Sequence, residues 1–94
     1  MPGFLYRDVS LTRSGRKGWV FAKGEVSNNT AKNYQTAAFR FSLFAKDKIV
    51  WTGIFKIRGL RKGQAKPFEF HLEGLDYKEI TTISKQEIFF ESGY

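Results

Sequence analysis

Apolar and polar residues alternate with period two along most of this chain, and no stretch sustains the 3.6-residue period of an amphipathic helix. Six apolar-rich runs are separated by clusters of turn-forming residues. The first is Phe4 to Thr12, followed by a hairpin connection at Arg13-Ser14-Gly15-Arg16-Lys17-Gly18. In the second, Trp19 to Ser27, period two puts Val20, Ala22, Gly24 and Val26 on one face and Trp19, Phe21, Lys23 and Glu25 on the other. Asn28 to Asn33 is a polar loop whose asparagines tolerate turn conformations.

The third run, Tyr34 to Ala45, has the clearest pattern. Ala37, Phe39, Phe41 and Leu43 share the inward face and alternate with Ala38, Arg40, Ser42 and Phe44, as in a half-buried antiparallel strand. Lys46-Asp47-Lys48 turns into Ile49 to Ile57, where Trp51 and Phe55 fall on one face and Val50 and Ile54 on the other. Arg58 to Pro67 reads as a loop from which Leu60 enters the core. Phe68, Phe70 and Leu72 then face inward, with Glu69, His71 and Glu73 outward. Gly74 to Glu79 turns again, with room for one helical turn at Asp76 to Glu79. Ile80 to Glu91 completes the set, and a change of phase between Ile83 and Ile88 predicts a bulge or bend. Strands at this spacing predict an all-β sandwich or small barrel.

The length of 94 residues fits one domain spanning 1–94. With 41% hydrophobic and 17% aromatic residues, among them ten phenylalanines, the chain can fill a core without staples. It has no cysteine, which excludes disulfides, thiolate nucleophiles and Cys-based zinc sites. Met1-Pro2-Gly3-Phe4 does not read as a signal peptide, and no run approaches the roughly 20 apolar residues of a membrane helix.

Three motifs resemble a known family. They are Gly24-Glu25-Val26-Ser27-Asn28-Asn29, Phe41-Ser42-Leu43-Phe44-Ala45-Lys46-Asp47 and Leu60-Arg61-Lys62-Gly63-Gln64-Ala65-Lys66-Pro67-Phe68, and they run in the order seen in FxLYD-type domains. Phe41 and Leu43 match the name-giving motif, with Phe44 at its Tyr and Ala45 at its Asp. The resemblance covers Val20 to Leu72. It implies an immunoglobulin-like antiparallel β-sandwich of six to seven strands. It also implies a non-catalytic accessory or interaction module of a secreted or envelope-associated protein, hence an extracytoplasmic location.

Catalytic chemistry finds little support in the residues themselves. His71 is the only histidine, and a metal reading would need it with Glu69 and Glu73; a lone histidine is poor for zinc, and a solvated sheet face is the favoured reading. The acids are scattered and the serines lack a partner base other than His71, so no enzyme, cofactor or metal site is expected.

Sixteen basic residues against nine acidic give a net charge of +7, which raises a second reading: a basic barrel binding nucleic acid or another polyanion. Strand parity weighs against it. Six consecutive antiparallel strands send Arg13, Arg16, Lys17, Lys46 and Lys48 to one end and Lys32, Arg58, Arg61, Lys62 and Lys66 to the other. The expected partner is therefore another protein or domain. Trp19, Phe21 and Lys23 form the candidate partner surface, because inward Val20, Ala22 and Val26 force these residues outward. Burial of those rings under a Lys or Arg stem, or under Phe89-Phe90, is the alternative.

Overall fold

In the computed structural model, which describes residues 3–15 and 18–94, the chain forms six strands in two antiparallel sheets, with no α-helix among the described residues. The strands are β1 (Phe4–Ser14), β2 (Trp19–Asn28), β3 (Tyr34–Ala45), β4 (Lys48–Leu60), β5 (Ala65–His71) and β6 (Lys85–Gly93). One sheet has the order β1-β2-β5 and the other β4-β3-β6. The shortest dimension of the molecule, 20 Å, suits two layers stacked roughly 10 Å apart with their outward side chains. Arg16 and Lys17 of the first hairpin connection, and Met1 and Pro2, lie outside the described residues.

The core follows from matching small against large. β2, central in its sheet, turns Val20, Ala22 and Val26 inward, all at 0% exposure. Central β3 contributes Phe39, Phe41 and Leu43, equally buried. Small side chains on one layer leave room for rings from the other, so the layers can interdigitate. Phe55 extends the ring cluster, stacked on Phe39 at 5.4 Å, on Phe68 at 4.5 Å and on Phe70 at 4.8 Å between centroids.

Glycine makes close approach possible at two points in this core. Gly24 pairs with Phe68 across β2 and β5, and a Cβ there would sit 2.9 Å from the Phe68 ring and 3.1 Å from the Arg7 carbonyl oxygen. Gly53 lies under the Trp51 indole of its own strand, leaving no room for a side chain. The indole Nε1–H donates to the Glu73 carbonyl at 2.8 Å, which fixes the ring.

A polar knot closes one end. Asn28 is fully buried, yet its carboxamide is saturated. Its Nδ2 donates to the carbonyls of Lys32 (2.9 Å) and Leu60 (3.2 Å), and its Oδ1 accepts from the Thr30 N–H (2.9 Å) and hydroxyl (2.6 Å). The Asn28 N–H donates to the Gln64 carbonyl at 2.8 Å, and the Asn28 carbonyl accepts from the Gly63 N–H at 2.7 Å. One side chain thus ties the β2–β3 crossing to the β4–β5 crossing.

Three expectations need correction. The closing run is not a single strand from Ile80: Tyr77–Thr82 forms a 3₁₀ turn with a capping box between Asp76 and Glu79, and β6 begins only at Lys85. The phase change between Ile83 and Ile88 is the exit from that turn, and the β3–β6 irregularity lies further on, where Glu91 is the extra residue between Phe90 and Ser92. The loop expected over Arg58 to Pro67 shrinks to residues 61–64, because β4 runs on to Leu60 and β5 starts at Ala65. Gly59 adopts φ 67°, a left-handed conformation open to glycine, just before Leu60, whose side chain is buried. In β4 the alternation is interrupted where Val50 is the extra residue between Ile49 and Trp51 opposite Phe44 and Leu43; beyond it Phe55 and Ile57 face in and Ile54 faces out.

Three stability predictions follow from these contacts. Phe41→Ala should cost about 3–5 kcal/mol, read as a severe fall in melting temperature, and an unchanged midpoint would place Phe41 outside the core. Asn28→Ala removes the Nδ2 donor to the Leu60 carbonyl and the Oδ1 acceptor of the Thr30 N–H, and should cost about 1–3 kcal/mol in a denaturant titration, against under about 0.5 kcal/mol for exposed Asn29→Ala. Tyr6, packed edge-on against Phe39, has its phenol pushed up by burial from 10.0 to about 12. A raised folded-state value means this contribution is intact below pH 10 and is lost as pH rises toward 12. Tyr6→Phe should therefore flatten the decline in stability over that alkaline window; an identical decline in the variant would contradict the assignment.

Candidate partner-binding face

The outward face of β2 carries Trp19, Phe21 and Lys23, as period two requires once Val20, Ala22 and Val26 turn inward. Register then brings neighbours that are remote in sequence. On β5, His71 lies opposite Phe21 and Glu69 opposite Lys23. On β1, Thr12 lies opposite Phe21 and Ser10 opposite Lys23. The imidazole of His71 packs between the two rings of β2, 5.1 Å from Trp19 and 5.2 Å from Phe21 between centroids, tilted by 35° and 33°. The result is a three-ring ladder across two strands with 48% of Trp19 open to solvent.

Phe89-Phe90 does not cover these rings. It belongs to the other sheet, where Phe90 stacks on Phe4 at 5.0 Å and Phe89 is 49% exposed. Phe44 also sits on that second sheet, with the Lys85 ammonium over its ring at 5.4 Å. The sheet division therefore separates Phe44 from the β2 rings.

Around the ladder the surface is shallow. A hollow of about 210 Å³ is bounded by Thr12, Arg13, Phe21, Lys23 and Glu69, smaller than the roughly 300 Å³ at which small-molecule pockets begin. A neighbouring depression of about 410 Å³ continues it past Lys23 toward Asp8, Glu25 and Pro67. Asp8 adopts φ 54° in the β1 bulge between Arg7 and Ser10, which bends the strand beside this trough. Rings at one end and mixed charges beside them suit a broad partner surface better than an enclosed ligand.

His71 is the member of this face that sequence reasoning left out. Parity placed it outward, but between Glu69 and Glu73 it read as solvated, and only the long-range pairing of β2 with β5 sets it against Phe21. The three side chains weighed for metal do not assemble: among the described residues no group of three His, Cys, Asp or Glu side chains could hold an ion. No helix among the described residues is long and apolar enough to cross a membrane. A scan against protein-family models, a search of curated proteins and a search of solved structures each return no match for the chain.

Proposed function

We propose that this domain is a non-catalytic, immunoglobulin-like interaction module that presents the outer face of the β1-β2-β5 sheet to another protein. The wiring supports the immunoglobulin-like reading. Hairpin β1–β2 is followed by a crossing to hairpin β3–β4, a return that sets β5 beside β2, and a last crossing that sets β6 beside β3. Strands remote in sequence thus become neighbours in both sheets, as in Greek-key sandwiches. The resemblance of the Gly24–Asn29, Phe41–Asp47 and Leu60–Phe68 motifs to FxLYD-type domains supports reading it as a module of a secreted or envelope-associated protein.

The observation that carries the reading is the Trp19–His71–Phe21 ladder. Its rings are held by one another on a rigid sheet, so a partner can bury them at little cost in side-chain entropy. Aromatic residues with a flanking basic side chain, here Lys23, are what interface cores favour.

Fluorescence tests this face. In a Trp51→Phe background, acrylamide should quench Trp19 strongly. Phe21→Ser should keep a cooperative melt while weakening self-association or capture of the partner. A Trp19 that resists quenching in a proven monomer would place the ring inside the fold and remove this surface.

A further inference from the structure

The open side of the sandwich between β4 and β5 carries a second, chemically different surface. Because the crossing between these strands is only residues 61–64, they run side by side as edges of opposite sheets. A groove of about 460 Å³ opens between residues 54–58 of β4 and 66–70 of β5. Its floor is apolar, made by Phe55, Ile57 and Phe68. Its rim is basic: Lys56, Arg58 and Lys66 line it, and Arg61 and Lys62 follow in the adjoining turn. None of these five cations pairs with a carboxylate among the described residues. The one acid in the lining, Glu69, lies opposite Lys23 on the outer face of its sheet.

The two edges differ as templates for a further strand. β5 places Pro67, which has no N–H, in the middle of its edge. Among the described residues β4 pairs with β3 alone, and it has no proline. A donor from the facing strand already reaches this edge, since the Lys66 ammonium donates to the Arg58 carbonyl at 2.8 Å and closes one end of it. Along residues 54–58, Phe55 and Ile57 turn inward and Lys56 and Arg58 outward.

We infer that the β4 edge binds an extended peptide of alternating apolar and acidic residues, added as a strand beside β4. Backbone hydrogen bonds supply the pairing, apolar side chains enter the groove over Phe55 and Ile57, and acidic side chains meet Lys56 and Arg58 on the other face. This site is separate from the aromatic ladder and stands whether or not that face binds a partner.

The probe is a fluorescein-labelled peptide of about ten residues that alternates glutamate with valine. A control peptide has the same composition with the two residue types in separate blocks, and a single-stranded oligonucleotide of equal charge serves as a plain polyanion. The alternating peptide should bind saturably, with amide protection gained on those alternate residues of 54–58 whose N–H groups face the open edge, and at least tenfold more tightly than either control. Lys56→Glu with Arg58→Glu, both at exposed positions, should weaken it at least tenfold without moving the melting temperature. Phe21→Ser should leave it unchanged. Equal binding of the blocked peptide or the oligonucleotide would reduce the site to a polyanion patch and overturn the inference. So would protection on another edge strand, or no saturation below about 1 mM.

Discussion

The buried carboxamide of Asn28 is the constraint on which the rest of the molecule depends. It sits at the end of β2 in one sheet and donates to the last residue of β4 in the other, Leu60. With its backbone it also holds Gly63 and Gln64, so the β4–β5 connection can turn within four residues and return to the opposite sheet. A desolvated amide of this kind is costly unless its donors and acceptors are matched, which favours the observed geometry of the two crossings over ones that break these bonds. That geometry sets β5 beside β2, which brings His71 to Phe21, and it keeps the free edges of β4 and β5 side by side. Both surfaces proposed to bind partners thus depend on strands that this asparagine links.

Around this knot the core is built from rings laid over places without side chains. Phe68 covers Gly24, Trp51 covers Gly53, and Tyr34 covers Gly93 near the end of β6. Each pairing brings an aromatic face against bare backbone, which gains contact area that a Cβ would deny. A domain of 94 residues without disulfides has few other means of gaining stability, and stacked phenylalanines supply large buried area per residue.

Charge follows the strand ends. Lys46 and Lys48 sit at the β3–β4 hairpin, while Arg58, Arg61, Lys62 and Lys66 gather near the β4–β5 turn at the opposite end. The two sheet faces between them carry both signs, as with Arg40 and Glu91, paired at 2.7 Å on the outside of the second sheet. The aromatic ladder and the basic groove are therefore distinct in chemistry, one suited to a broad protein surface and the other to an acidic strand.

Much of this was legible in the sequence. Period two along Tyr34 to Ala45 and Trp19 to Ser27 determines which side chains turn inward, because successive residues of a strand must point to opposite faces. The burial of Phe39, Phe41, Leu43, Val20 and Val26, and the outward placement of Trp19, Phe21 and Lys23, follow from that local rule alone. Local rules fail where local signals mix: Ile80 to Ile83 carries apolar residues that read as the start of a strand, yet the turn opened by the Asp76–Glu79 capping box runs on through Thr82 and β6 begins only at Lys85. The rest was decided only by tertiary structure. Which strand lies beside which, the register that sets His71 between Trp19 and Phe21, and the pairing of a basic rim with an apolar floor all join residues far apart in the chain. Hydrophobic alternation says which face is buried but carries no information about the partner strand; that lies in long-range contacts such as the Asn28 hydrogen bonds between the sheets and the fit of rings over glycines within each sheet.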